Sequence, residues 1–145
     1  MNKLSLAEVV KATGANSNTD KEIIFSGVTT DSRKIIDGVL FVALKGEKFN
    51  GEDFAEDSLK KGAAAVLVSN SAKNISGGAV LKVEDTLTAY QKISQIWRER
   101  FKIPIIAITG SNGKTTTKDL TAAALSSLGE IQKTSANFNN EKNEN

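Results

Sequence analysis

The residues of this chain best suited to chemistry are Gly110-Ser111-Asn112-Gly113-Lys114-Thr115-Thr116. Glycines let main-chain amides come close to an anion. A helix opening at Lys114 would aim its unpaired N–H groups and partial positive charge at the same point. Lys114 has the reach to touch the outer phosphates of a nucleoside triphosphate, and the Thr115 hydroxyl is the kind of hard oxygen that ligates Mg²⁺. The common phosphate loop reads G-x-x-x-x-G-K-[ST]; here Ile108 stands where its first glycine would be, and the match is the shorter T-G-x-x-G-K-T. The competing reading of the same residues is a plain glycine turn with a solvated lysine.

A second group is Thr30-Asp31-Ser32-Arg33, where hydroxyls, a carboxylate and a guanidinium crowd the end of an expected strand. Strand ends opening into loops are where open sheets place ligands. Arg33 can fork onto a phosphate or carboxylate. Equally, the four residues can form an Asx-type turn with Asp31 paired to Arg33. Lys45-Gly46 closes the next expected strand and is open to the same two readings, ligand contact or ordinary turn.

These groups need elements to position them. Ile105-Ile106-Ala107-Ile108 is a continuous apolar run ahead of the glycine turn, which predicts a strand buried on both faces. After the turn, Leu120, Ala123, Ala124 and Leu128 recur at helical spacing up to Gly129, and Glu130–Thr134 starts another strand. Nearer the beginning, Leu4–Val10 reads as a short helix capped by Ser5 with Glu8 three residues on, ended by Gly14. A polar loop is expected over 15–22, then strands at Ile23–Val28, Val39–Leu44, Ala64–Val68 and Ala79–Val83. A short helix follows Phe49, Asn50-Gly51 and Phe54. Asp85 caps a longer helix whose apolar positions Ala89, Tyr90, Ile93, Ile96, Trp97 and Phe101 keep the spacing of a core face. Pro104 breaks that pattern, so a domain boundary falls near 101–104. The fold class is α/β: a small amino-terminal α/β domain with a mixed sheet over 1–102, then over 103–145 the first strand, phosphate loop and helix of a parallel-sheet domain.

Composition excludes several classes. The 145 residues carry a formal net charge of +2, which asks for neither nucleic acid nor an acidic membrane surface. There is no cysteine, hence no disulfide or thiolate metal site, and no histidine, hence no imidazole base or ligand. No apolar run approaches the ~20 residues of a membrane span, so a soluble cytoplasmic protein without membrane insertion is expected. A phosphate-loop domain needs several parallel strands with helices on both faces. Too few elements follow residue 104 for that, which predicts a chain that stops inside its second domain.

Gly110–Lys118 resembles the ATP loop of the Mur ligases of peptidoglycan synthesis. Thr30-Asp31-Ser32-Arg33, Gly38 and Leu40-Phe41-Val42-Ala43-Leu44-Lys45-Gly46 resemble the amino-terminal domain shared by the tripeptide-forming and pentapeptide-forming members. Ser111, Lys118 and Asn137-Phe138-Asn139-Asn140-Glu141 point to the pentapeptide-forming branch. The resemblance implies a three-domain fold of which this chain holds the first domain and the start of the second. It implies an ATP- and Mg²⁺-dependent ligase that activates a substrate carboxylate as an acyl phosphate, which the amine of D-Ala-D-Ala then attacks. The implied partners are UDP-N-acetylmuramoyl-tripeptide and D-Ala-D-Ala. By the same resemblance Gly110, Ser111, Asn112, Gly113, Lys114, Thr115 and Thr116 hold ATP, Lys114 is catalytic and Thr115 ligates the metal. Thr30, Asp31, Ser32, Arg33, Lys45 and Gly46 take the UDP-sugar end of the substrate, and Asn137, Asn139 and Asn140 lie near the cleft. Phosphoryl transfer needs positioning and charge neutralisation more than a side-chain base, so the missing histidine is no objection. The chain departs from the family at Asn50-Gly51-Glu52, where Asp-Gly-His is frequent, and at 142–145, where an apolar segment is usual. Alternatives are a ligase adding the third residue to a UDP-muramyl-dipeptide, a stand-alone nucleotide-binding module, and a purely structural α/β domain.

Overall fold

A computed structural model of the chain describes residues 3–46 and 50–134. It divides into two compact units, residues 1–102 and 103–145.

The first unit is built on two strands, one apolar throughout and one apolar up to its last residue, Ser69. β5 (Leu40–Val42) and β6 (Ala65–Ser69) pair in parallel, and β7 (Ala79–Val83) pairs in parallel with β6. β4 (Val28–Thr29) adds in parallel beside β5, while β2 (Asn16–Ser17) runs antiparallel on the far edge, giving the order β2-β7-β6-β5-β4. The sheet is therefore mixed, as expected. Successive strand residues point to opposite faces, so a strand with no polar position requires cover on both. One cover consists of α1 (Leu6–Thr13) and α3 (Thr86–Arg98): Leu6, Val9, Ala89 and Ile93 pack with Leu40, Val42, Leu67 and Leu81. On the other face α2 (Ala55–Lys60) brings Ala55 and Leu59 against Phe41, Val66, Val68 and Val80. Alternation along β6 is complete, with Ala65 and Leu67 on one face, Val66 and Val68 on the other, and none of them exposed.

Caps fix where the helices begin. Ser5 Oγ accepts the Glu8 N–H at 3.3 Å, and Glu8 Oε2 accepts the Ser5 N–H at 2.9 Å, the reciprocal box expected from S-x-x-E. Gly14, at φ 72°, ends α1 in the left-handed conformation. Asp85 accepts the N–H groups of Leu87 and Thr88 at 3.3 and 2.9 Å and starts α3.

The structure corrects several expectations. Leu4-Ser5 forms β1, paired with β3 (Ile24–Phe25) in a separate two-stranded sheet, so α1 starts only at Leu6. The expected strand 23–28 is two short strands in two sheets, split at Ser26-Gly27, where the Ser26 N–H and hydroxyl turn to the carbonyls of Gly38 and Asp37. The loop 15–22 contains β2. Trp97 and Phe101 are 39% exposed and pack edge to face on each other at 5.7 Å rather than joining the core. Arg100 lies over the Trp97 ring and bonds the Lys3 carbonyl and Glu8, tying the end of α3 to α1.

The second unit is sparser. Its main element is α4 (Lys114–Leu125), followed by a 3-10 turn at Ser126–Leu128. The run Ile105–Ile108 forms no strand: Ile105 and Ile106 are 61% and 60% exposed. Nor do residues 130–134 form one. A strand exists only through its ladder and its covered faces, and the described residues supply neither to these segments. The apolar stripe of α4 is likewise uncovered, with Leu120 65% exposed and no residue of the helix buried.

Candidate functional site

All parallel strands of the first unit end on the same edge of the sheet. The residues that follow them therefore gather there: Thr30–Arg33 after β4, Leu44-Lys45 after β5, the end of β6 at Ser69, and Glu84-Asp85 after β7. Open α/β sheets bind ligands along this carboxyl edge.

The turn after β4 is an Asx turn. Asp31 Oδ1 accepts the Arg33 main-chain N–H at 3.0 Å, and the guanidinium closes a two-bond fork, Nε to Oδ1 and Nη2 to Oδ2, both at 2.9 Å. The Thr29 hydroxyl accepts the Asp31 N–H at 3.1 Å. The Arg33 fork holds the Asp31 carboxyl down to about 2, and Asp31 in turn raises Arg33. Of the two readings of this motif, the internal Asp31–Arg33 pair is the one formed. It also orients the guanidinium, which is 84% exposed. Arginine has five N–H donors, and the fork leaves those of Nη1 and the second of Nη2 for another partner.

On the same edge of the sheet a cavity of about 500 Å³ lies over the ends of β5, β6 and β7. Lys45 lines it with Glu52, noted in the sequence only as a departure from the family pattern, and with residues that sequence reasoning did not single out: Ser69, Ser71, Lys73 and Thr86. Thr30–Arg33 lie outside its lining, and Gly46 follows Lys45 at its rim in sequence only. The signal that would have found Ser69 and Thr86 is their place just past the expected ends of strands. Lys45 bridges to Asn50 in antiparallel fashion. Gly51 then presses on the end of β5, its N–H donating to the Leu44 carbonyl at 2.9 Å. A Cβ at Gly51 would sit 2.6 Å from that oxygen, so the glycine is required by contact. Glu52 turns inward: Oε1 accepts the Ser69 N–H at 2.9 Å and Oε2 the Asn50 side-chain amide at 3.3 Å. Burial works against its charge, but the Ser69 and Asn50 bonds, with Lys45 nearby, leave the carboxyl below its ordinary range.

In the second unit, the glycine turn forms without its strand. Gly110 (φ 143°) and Gly113 (φ 75°) both occupy the region that favours glycine, and Gly113 is the N-cap of α4. Lys114, Thr115 and Thr116 are the first three helical residues, and the first helical amide satisfied by a carbonyl of the loop is that of Thr117, bonded to Gly113 at 2.9 Å. The N–H groups before it are the orphan donors of a helix N-terminus. Lys114 Nζ donates to the Gly110 carbonyl at 2.6 Å, which folds the ammonium back across the loop. Lys118 Nζ donates to the Thr134 carbonyl at 2.8 Å and Lys133 Nζ to Asp119 at 2.7 Å, so the segment after α4 lies along the helix. Asn137, Asn139 and Asn140 lie outside the described residues. No cluster of three or more metal-ligating carboxylates occurs among the described residues. No helix there is long and apolar enough to cross a membrane.

The first unit is thus a mixed α/β sheet with a cavity at the carboxyl ends of its parallel strands, and the second holds a glycine turn that opens a helix with G-K-T. The sequence profile of the Mur ligase family, catalytic domain, matches residues 24–110, and that of the Mur ligase middle domain matches 108–145. The chain belongs to the Mur ligase family.

It is 48% identical over 126 residues to a UDP-N-acetylmuramoyl-tripeptide–D-alanyl-D-alanine ligase of Synechocystis, covering 86% of this chain and 28% of that protein. To the ligase of the same name from Bacillus subtilis it is 44% identical, covering 94% of this chain and 30% of the relative. A crystal structure of MurF from Acinetobacter baumannii superposes with a TM-score of 0.85 at 30% identity, covering 97% of this chain and 31% of that one. A MurF from Thermotoga maritima in complex with ADP gives a TM-score of 0.69, with 30% identity over 77% of this chain and 26% of that one. The chain thus spans somewhat under a third of the length of these relatives.

Proposed function

We propose that this chain carries the nucleotide-sugar site and the phosphate loop of an ATP-dependent ligase that joins D-Ala-D-Ala to UDP-N-acetylmuramoyl-tripeptide in the cytoplasm. Residues 1–102 form its substrate-binding domain and 103–145 the start of its ATP-binding domain. The observation that carries the reading is the left-handed Gly110 and Gly113 turn opening α4 with Lys114-Thr115-Thr116. It lies where the middle-domain profile begins. The relatives of 48% and 44% identity, both named for the tripeptide substrate, favour it over the third-residue ligase. That second reading has support from a Caulobacter vibrioides diaminopimelate-adding relative, 38% identical over 106 residues.

The donor set fits the implied groups. The amides of Lys114, Thr115 and Thr116 would face the phosphates, Gly110 to Gly113 leave room for them, and Lys114 Nζ would exchange the Gly110 carbonyl for a phosphate oxygen. The Thr115 hydroxyl is the kind of neutral oxygen Mg²⁺ accepts. When bound, ATP supplies the phosphoryl group that activates the substrate carboxylate. Lys114 would neutralise charge at the outer phosphates and the amides would hold them by hydrogen bonds, roles that require no side-chain base. In the first unit, Arg33 offers its remaining N–H donors and Lys45 its ammonium to the diphosphate of the nucleotide sugar.

The test is calorimetric titration of the 145-residue chain with UDP-N-acetylmuramoyl-tripeptide, with and without Arg33→Ala. Saturable binding, weakened by that substitution, is expected. Absence of binding at millimolar ligand contradicts the reading. Tight binding of ATP without the nucleotide sugar would instead favour a stand-alone nucleotide module.

A further inference from the structure

Glu52 lines the cavity over the sheet edge, and the structure gives its carboxylate a main-chain partner. Glu52 and Glu56 stand four residues apart on the 3-10 turn Gly51–Phe54 and the α2 helix that continues it, so they project one turn apart on one side. Glu52 reaches the last residue of β6, where the connection to β7 begins, and Glu56 reaches the connection itself. Glu52 Oε1 accepts the Ser69 N–H at 2.9 Å. Glu56 Oε1 accepts the Ser76 N–H at 3.0 Å and the Ser76 hydroxyl at 3.1 Å. The connection is thus gripped at both ends. Between the grips Ala72 is buried, and Lys82 Nζ donates to the Ala72 carbonyl at 3.2 Å.

Adjacent parallel strands are normally joined through a packed helix, which fixes the path of the crossover. Residues 70–78 join β6 to β7 without one. Side-chain bonds to the main chain do the fixing instead, and those to carboxylates are of the stronger, charge-assisted kind. Ser71, Ala72, Lys73 and Ile75 of this connection form a wall of the cavity over the sheet edge. Glu56 itself lies outside the cavity lining, so it can affect a ligand there only through the wall.

We propose that Glu52 and Glu56 are positioning residues that hold the β6–β7 connection as the wall of the cavity, and so set the cavity's affinity for the nucleotide-sugar substrate. This rests on the substrate reading given above.

The experiment measures UDP-N-acetylmuramoyl-tripeptide affinity of the 145-residue chain, unmodified and with Glu56→Ala, Glu56→Gln, Glu52→Ala and Glu52→Gln. Amide hydrogen exchange at Ser69 and Ser76 is followed in the same samples. Glu56→Ala is expected to weaken binding about fivefold, the worth of one such bond, and to speed exchange at Ser76. Glu56→Gln keeps a carbonyl acceptor and is expected to recover most of both, as is Glu52→Gln relative to Glu52→Ala. Should Glu56→Ala fail to fold, Glu56→Asp, too short to reach Ser76, gives the same comparison. Binding by the unmodified chain with unchanged affinity in the alanine variants overturns this inference alone. No binding by the unmodified chain overturns the substrate reading and this inference with it.

Discussion

The runs Ala65-Val66-Leu67-Val68 and Ile105-Ile106-Ala107-Ile108 are alike in length and hydrophobicity, and each precedes a polar turn at a proposed ligand site. The first is a central strand with every side chain buried; the second forms no strand, with Ile105 and Ile106 exposed and Ile108 half-buried. The turns that follow them show no such contrast. The glycine turn at 110–113 opens its helix with left-handed glycines although no residue of α4 is buried. A turn, a cap and a helix N-terminus are determined by a few neighbouring residues, whereas a strand is determined by what lies beside and above it. The glycine turn accordingly takes its conformation without a neighbouring strand among the described residues.

Mutations sharpen that contrast. Leu67→Ala empties a fully buried position and is expected to cost about 2–5 kcal/mol. Leu120→Ala in α4 is expected to stay within about 0.5 kcal/mol. Urea unfolding followed by the fluorescence of Trp97, the single tryptophan, reads the first unit directly. A large effect of Leu120→Ala on that transition would show the two units to be one cooperative body. Gly51→Ala drives a methyl into the Leu44 carbonyl at the rim of the cavity and should cost about 1–3 kcal/mol in the same assay. No loss of stability there would mean the turn moves freely off β5.

Smaller effects follow from polar groups. Ser58 is 1% exposed within α2, and its hydroxyl has no hydrogen-bond partner among the described residues. Ser58→Ala should therefore raise stability by about 1 kcal/mol, and a loss of that size would reveal a partner for the hydroxyl. At Asp31 the folded-state carboxyl is depressed to about 2 by Arg33. The pair's contribution is therefore complete above the ordinary carboxylate range and lost as pH falls through about 2. Side-chain carbon NMR should show that midpoint, and Arg33→Ala should return it toward 3.8; a midpoint unmoved by the substitution would rule out the fork in solution.

Much of the first unit was legible because its signals are local or doubly redundant. The Ser5–Glu8 box, Gly14, Asp85 and the apolar runs Leu40–Val42 and 65–68 each state their role in a few residues. The split of 23–28 was not, since the two pieces differ only in which distant strand each pairs with. The edge strand β2 consists of Asn16-Ser17, polar residues without alternation, and is held by Leu81 and Lys82 across the sheet. At the site, Lys45, Arg33 and the 110–116 loop stand out by residue type. Ser69 and Ser71 do not: their relevance comes from a cavity between three strand ends, which the order of residues alone does not display.

The central claim is that two ligand sites of one ligase lie side by side in sequence, a nucleotide-sugar site in the first unit and a triphosphate loop in the second. Amide chemical-shift mapping on the 145-residue chain tests it most directly. UDP-N-acetylmuramoyl-tripeptide should move the signals of Thr30–Arg33, Lys45 and Ser69–Lys73, and MgATP should separately move those of Gly110–Thr116. A nucleotide sugar that at saturation leaves Thr30–Arg33 and Lys45 unmoved, or that moves only the 110–116 loop, would contradict it.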